Sequence, residues 1–579
     1  MRVNRLNRQD WHVPRARLGI ATAGKSYLDV REALLGLDGD GARALGLRLL
    51  KVGVVWPLEP QCIVEFAHGL DEILVVEEKR PVLEYQIKEH LYNEAVRPRV
   101  VGKFDEAGEW VKVPSRGILL SPNGELSPGS IADVIAQRLA KVLGESALPE
   151  SVHAWLGGCG VVRAGVTADP ALPQRVPYFC SGCPHNISTR VPAGSRALAG
   201  IGCHYLALGM DRHTETVSQM GGEGVPWIGQ APYTDTPHVF ANLGDGTYMH
   251  SGSLAIRAAL AAGVHHLQAL RQRRGRDDRR AAGRGGAVSA ADPATTGRRR
   301  RARTAPGQRR ARAVQGSERA AGGFLGRASR HDGRTAAQLR EVKGVSAIVY
   351  VQTCATEKRR RRKQKKPVDP AQRVVINEAV CEDCGDCGVQ SNCVSILPLE
   401  TELGRKRSID QSTCNKDRSC IKGFCPSFVT VVGAELRKPG RNRANAPTDL
   451  PAPLLQSLDQ PCNILVAGIG GTGVVAIGAL LGMAAHIEGK GVRVIDMAGL
   501  AQKGGAVMSH VRLAARSQSL YAARAPRAQA DLALGCDLMT SSGVDALSTL
   551  APLRSRALMN TDVVPGWRPP SPSAMRSRA

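Results

Sequence analysis

Over the first 150 residues, short apolar runs alternate with longer amphipathic stretches. "RLGIATAG", "LRLLKVGVVWPL" and "EILVVEE" are compact and nearly all apolar, the pattern of strands buried on both faces. "SYLDVREALLGL" and "SIADVIAQRLAKVLG" repeat apolar residues every three or four positions, the pattern of helices lying on a core. The alternation predicts a parallel α/β sheet for residues 1–150. A second region, 151–265, ends in a strand-like "HVFANL" followed by a glycine turn. From 266 to 337 hydrophobic periodicity is lost. It returns at 338–373 with "REVKGVSAIVYVQTC", and a compact cysteine-rich stretch fills 374–436. A Pro-rich polar linker spans 437–460. At 461–563 "NILVAG" runs into glycines and then a helix-like segment, which predicts a βα unit opening a last α/β domain. The apolar run at 463–485 has the length of a membrane span. The glycine cluster after a β-branched strand favours a soluble βα unit, so no membrane partner is expected.

Charge changes the picture in one place. The 579 residues carry a formal net charge of +26. Residues 271–330 alone hold 18 Arg, no Lys and 4 acids. A second basic run, "KRRRRKQKK", spans Lys358 to Lys366 and reads as a solvated face. Such charge ordinarily points to nucleic acid. Neither stretch has interleaved aromatics for base stacking, and no groove-reading module is present. Nucleic-acid binding is therefore the weakest of three function classes, behind an iron–sulfur oxidoreductase and a bare electron-transfer protein.

The 15 cysteines are clustered, and "MRVNRLNRQDWHVPRARLGI" lacks the apolar core of a signal peptide. Together these point to metal ligands in a reducing cytoplasm. "CEDCGDCGVQSNC" supplies Cys381, Cys384, Cys387 and Cys393, and "CNKDRSCIKGFCP" supplies Cys414, Cys420 and Cys425. Two-residue spacing lets three thiolates turn around one iron–sulfur cube, with a distant Cys before Pro as the fourth ligand. Cys381, Cys384, Cys387 and Cys425 are thus expected to hold a 4Fe–4S cluster. Cys393, Cys414 and Cys420 are one thiolate short of a second set, which leaves a 3Fe–4S centre or a cube with a non-Cys ligand. A structural zinc module would stop at four ligands, so seven cysteines favour iron and sulfide.

Two glycine turns complete the candidate chemistry. Gly244, Asp245 and Gly246 follow a strand, where an Asp can ligate Mg²⁺ and glycines let the backbone approach a diphosphate. Such a turn alone is weak evidence. Gly468, Gly470, Gly471 and Gly473 fit GxGxxG after a strand, with Asp496 ending the next strand, a dinucleotide fingerprint with many false positives.

In combination, "YFCSGCPHN", "GIGCHY", "QMGGEGVPWIGQAP", "FANLGDGTYMHSG", "VQTCATEKRRRRK", "INEAVCEDCGDCGVQSNC" and "NILVAGIGGTG…VIDMAGLAQKGGAVMSHVRLA" resemble the fused indolepyruvate ferredoxin oxidoreductases. These are thiamine-dependent 2-oxoacid:ferredoxin oxidoreductases. The resemblance covers about 1–265 and 338–563. It implies a multidomain α/β protein with a transketolase C-terminal-like domain, a thiamine diphosphate-binding domain, a ferredoxin-like 4Fe–4S module and a Rossmann-like gamma domain. It implies oxidative decarboxylation of an aryl 2-oxoacid such as indolepyruvate, with coenzyme A as acyl acceptor and ferredoxin as electron partner, in a homo-oligomer. Thiamine diphosphate and Mg²⁺ are the implied cofactors, beside 4Fe–4S clusters. Cys180, Cys183 and Cys203 match a cluster site beside the thiamine, with Cys354 as fourth ligand. The gamma reading makes coenzyme A handling, rather than NAD binding, the expectation for the GxGxxG turn.

The family continues after the GDG turn with a stretch like "NDAVAMTGGQPVEG", whose Asn is the second Mg²⁺ ligand. Permissible codons for Gln272 through Gly285, read one base later, encode that stretch. We therefore expect residues 266–337 to be translated out of frame and disordered, because Arg, Ala and Gly cannot offset the entropy of ordering. The resemblance also places a pyrimidine-binding domain before residue 1 and ends near residue 563, leaving 564–579 as an aberrant tail. On this reading the chain is an inactive fragment of the enzyme.

Overall fold

The computed structural model describes residues 1–11, 13, 15–38, 45–95, 97–109, 117–165, 178–262, 267–272, 325–328, 334–342, 344–350, 352–364, 370–435, 457–498 and 504–561. The chain divides into one unit of Met1–Arg175 with Pro451–Val564 and another of Val176–Leu450 with Pro565–Ala579.

In the first unit, strands β1 (Arg8–Trp11), β2 (Leu18–Ala23), β3 (Leu47–Val52), β4 (Glu72–Val76) and β5 (Arg99–Val101) form one sheet in the order β1-β3-β2-β4-β5. All neighbours are parallel except β1 with β3. Side chains alternate between two cores, as a period of two requires. Leu74 and Val76 enter a core with helices α1 (Gly24–Leu37) and α4 (Pro128–Leu143). Ile73 and Val75 enter a core with α2 (Pro60–Ala67) and α3 (Val82–Leu91). At Gly19 of β2, a β-carbon would lie 2.8 Å from Phe66 and 2.5 Å from Leu70, so glycine lets that face close. Helix α5 (Glu150–Gly165) belongs here too. Val152 is fully buried in the α1–α4 core, and the Trp155 indole donates to Asp133 at 3.1 Å. The boundary expected at 150/151 therefore falls too early, because the apolar pattern of α5 serves the first sheet.

In the second unit, β6 (Ala197–Ala199), β7 (Thr214–Val217), β8 (Val239–Gly244), β9 (Leu267–Gln272), β10 (Leu325–Ala328) and β11 (Val345–Tyr350) form an all-parallel sheet in the order β10-β11-β9-β8-β6-β7. The sequence led us to expect no structure over 266–337. Yet β9 lies between β8 and β11, and β10 and the helix Arg334–Leu339 also fall in that range. "LQALRQ" is short and apolar enough to fill a central parallel position, which a search for long periodicity passes over. The remainder of 266–337 lies outside the described residues. The cysteine-rich module is built on two antiparallel ribbons, β12 (Gln372–Ile376) with β15 (Phe428–Val432) and β13 (Ile396–Thr401) with β14 (Gly404–Ile409).

The last sheet, again in the first unit, holds β16 (Cys462–Ile469), β17 (Gly491–Met497), β18 (Ala506–Ala514), β19 (Leu532–Gly535) and β20 (Arg556–Met559), in the order β17-β18-β16-β19-β20. A dinucleotide fold sets the second strand parallel and next to the first. Here β18 lies between β16 and β17, antiparallel to both. The Rossmann expectation is corrected accordingly: "AVMSHVRLA" turns back as a hairpin strand, and Asp496 sits exposed on the edge strand.

Candidate functional site

The GDG turn sits where β8 ends. Open α/β sheets present ligands at the carboxyl ends of their strands. Asp245 opens the first helical turn after β8, and a β-carbon at Gly246 would meet nothing within 4 Å. The Thr247 hydroxyl donates to the Ile201 carbonyl at 3.0 Å. That bond ties the turn to the Gly200–Cys203 loop at the end of β6, the strand next to β8. His204, buried beside Cys203, reaches within 3.9 Å of a β-carbon built at Gly244. Burial pushes its imidazole down to about 4, so it is neutral near pH 7. The turn leaves open space beside Gly246. The position expected for the second oxygen, near 272, has no described side chain.

Cys180 and Cys183 belong to the same neighbourhood. Both pack with Phe179, Leu206 and Ala207, the last two from the turn that Cys203 begins. Phe179 stacks on His185 at 5.5 Å, and His185 faces His204 at 5.8 Å. Cys354 precedes the helix Ala355–Lys363, whose Thr356 hydroxyl meets the Cys180 thiol at 3.5 Å. Cys180 and Cys183 thus pack on the turn that Cys203 begins, and Cys180 meets the residue two positions after Cys354.

The cysteine module docks onto this loop within the same unit. Asn415 is the joint. Its buried side-chain amide donates to the Ser181 carbonyl at 3.2 Å and to the Ala355 carbonyl at 3.0 Å, while its oxygen accepts from Arg362 at 3.1 Å. Asn392 donates to Asn186 at 3.0 Å. The Arg359 guanidinium donates to the Ser412 carbonyl at 3.0 Å. The basic run was read from sequence as a solvated face. In the structure Arg359 and Arg362 brace the second cysteine loop. Asn415 itself gave no signal in the sequence, since a polar residue between cysteines looks like loop.

Within the module, Cys381, Cys387 and Cys393 are buried and Cys384 is exposed. Asp383 and Gly385 flank Cys384 with φ of +53° and +79°, a left-handed pair that curls the backbone around one point. Burial, with Cys384 and Cys381 nearby, pushes the Cys387 thiol up to about 11. Burial, then Asp417, Cys393 and Cys414, pushes Cys420 up to about 12. A buried thiol becomes a thiolate more readily beside a cationic partner. Cys393, Cys414 and Cys420 line one cavity. Among the described residues no three His, Cys, Asp or Glu side chains converge on a single metal-ion position.

Two family profiles match the chain. The indolepyruvate ferredoxin oxidoreductase middle domain matches residues 7–157, and pyruvate ferredoxin/flavodoxin oxidoreductase matches 463–577. Residues 7–157 and 463–577 are thus similar to separate domains of the indolepyruvate and pyruvate ferredoxin oxidoreductases. Indolepyruvate oxidoreductase subunit IorA of Thermococcus kodakarensis is 26% identical over 264 residues, covering 42% of this chain and 36% of that one. Subunit IorB of the same organism is 33% identical over 103 residues, covering 18% of this chain and 47% of that one. The chain spans about a third of the length of the IorA relatives it matches. A solved 2-oxoglutarate:ferredoxin oxidoreductase from Magnetococcus marinus overlaps 23% of this chain and 19% of its own at 16% identity, with a TM-score of 0.16, too low to carry weight. The second profile runs to residue 577, past residue 563 where the sequence resemblance was taken to end. Among the described residues no helix is long and apolar enough to cross a membrane.

Proposed function

We propose that this chain carries the thiamine-binding and electron-transfer parts of an oxidoreductase that converts an aryl 2-oxoacid, of the indolepyruvate kind, and coenzyme A to acyl-CoA and CO₂. The observation that carries the reading is the joint at Asn415. It holds a loop with two cysteines, a helix start with a third and the cysteine module together, on the side of the sheet where the GDG turn opens. Thiamine diphosphate, when bound, supplies the carbanion chemistry that releases CO₂ and two electrons.

This chain's residues take the remaining tasks. Asp245 holds Mg²⁺ against the diphosphate, and Gly246 leaves the backbone free to approach it. Cys180, Cys183, Cys203 and Cys354 hold the cluster nearest the turn. Cys381, Cys384, Cys387 and Cys425 hold one farther out, and exposed Cys384 marks the side from which ferredoxin collects electrons. In the last domain Gly471 and Gly473 adopt φ of +87° and +110° with open space around them, at the start of a fourteen-residue helix. Such a helix start suits an anionic group, and we assign it to a phosphate of coenzyme A. Dithionite-free viologen reduction by indolepyruvate, with thiamine diphosphate, Mg²⁺ and coenzyme A, tests the reading. Turnover is expected once the family frame is restored over 272–285. A restored enzyme that reduces NAD⁺ but not viologen or ferredoxin contradicts it.

A further inference from the structure

The second cysteine set is one thiolate short, and the backbone shows what stands in the gap. Cys381, Cys384 and Cys387 are spaced by three residues. Cys414 and Cys420 are spaced by six, and the residue midway is Asp417. The two runs share their conformation. In the first, Asp383 and Gly385 flank Cys384 with φ of +53° and +79°. In the second, Lys416 and Arg418 flank Asp417 with φ of +54° and +59°. Left-handed conformations are costly for Lys and Arg. A matching pair at matching positions is therefore a shared fold of the loop. The likeness continues past the loop. Gly385 begins the short helix Asp386–Ser391, and Arg418 begins the helical turn Ser419–Lys422.

The surroundings agree. Asp417 lines the same cavity as Cys393, Cys414 and Cys420, and among the described residues no fourth thiol lines it. The backbone amide of Lys416 donates to the Cys414 sulfur at 3.4 Å, as an amide does to a cluster-bound thiolate. Asp417 accepts from the Ser419 hydroxyl at 2.6 Å on one oxygen. A carboxylate has acceptor capacity beyond that single bond.

We propose that Asp417 is the fourth ligand of a second 4Fe–4S cluster held by Cys393, Cys414 and Cys420. The inference rests on the iron–sulfur reading above and adds its least expected ligand. A carboxylate is harder than a thiolate and holds a soft iron site less firmly. The iron bound by Asp417 is therefore the one that leaves first on oxidation, giving a 3Fe–4S centre. Asp417 also abuts Gly182, whose β-carbon would lie 3.0 Å from its carboxyl carbon. The labile corner thus faces the Cys180–Cys183 loop, so its loss would interrupt electron flow out of the thiamine site.

The test reconstitutes the full chain anaerobically with iron and sulfide, as wild type, Asp417→Cys and Asp417→Ala. Each is oxidised with ferricyanide and followed by iron content and electron paramagnetic resonance. Wild type is expected to develop a 3Fe–4S signal with matching loss of iron. D417C should resist the conversion, and D417A should show the signal before any oxidant is added. Equal iron and identical spectra in all three forms overturn the inference alone. Iron uptake by none of them overturns the iron–sulfur reading and the inference together.

Discussion

Arg512 and Glu32 form a two-pronged ion pair, at 2.7 and 2.9 Å, although 480 residues separate them. Both side chains are almost wholly buried, at 1% and 3% exposure. Arg512 also donates to Asn463 at 2.8 Å and to the Ala522 carbonyl at 2.7 Å, so its guanidinium is well satisfied. Glu32 lies on α1 of the first sheet and Arg512 on β18 of the last. The pair therefore joins two domains that the sequence shows only as separate patterns. Removing one partner strands the other charge, which typically costs about 3–5 kcal/mol. Glu32→Ala is expected to lower the unfolding free energy by that amount, read as a lower urea midpoint, and Glu32→Leu with Arg512→Met to recover much of it. Equal loss in the single and double variants would contradict the pairing.

His510 sets an acid limit for the same unit. Burial first, then the charges of Arg524 and Arg512, push its imidazole down to about 4. The unfolded chain takes up a proton near pH 6.5 that the folded chain refuses. The stability His510 contributes is thus fully present above pH 6.5 and is lost as the pH falls toward about 4, by up to a few kcal/mol. Urea titrations of wild type and His510→Gln at intervals across that range check this. The variant should show the shallower decline, and parallel curves would count against it.

Asn415→Ala removes the joint between the cysteine module and the Cys180–Cys183 loop. Buried carbonyls of Ser181 and Ala355 lose their donor, at about 1–3 kcal/mol each. Iron release to a chelator should be several-fold faster than in wild type, while Asn123→Ala on an exposed loop of the first unit should leave it unchanged. Equal release rates would show that the joint is not structural.

The helix Val474–Ile487 is apolar all round, yet it buries its small residues. A β-carbon at Gly478 would lie 2.1 Å from the Ser509 hydroxyl, and one at Gly482 would lie 2.8 Å from Val494. Gly478→Leu is expected to cost about 1–3 kcal/mol or more through overpacking, read as a lowered thermal midpoint. An unchanged midpoint would mean that the helix sits farther from the sheet.

Much of this was legible in the sequence where local pattern decides structure. The strands β2, β3 and β4 and the helices α1 and α4 follow from apolar spacing alone. What escaped depends on residues distant in sequence. The place of β18 between β16 and β17 is a matter of register, which the glycine fingerprint does not encode. Arg359 and Arg362 read as surface because their partners, Ser412 and Asn415, lie some fifty residues on. Asp417 was passed over because it is not a cysteine, and only the paired left-handed residues beside it reveal the repeated loop.

The most direct test of the account is the metal content of the anaerobically purified chain, with acid-labile sulfide measured on the same sample. Iron and sulfide are expected in near-equal amounts, with visible absorbance that bleaches on reduction and falls by one cluster's share in Cys384→Ala. Stoichiometric zinc, with iron and sulfide still absent after reconstitution, would contradict it.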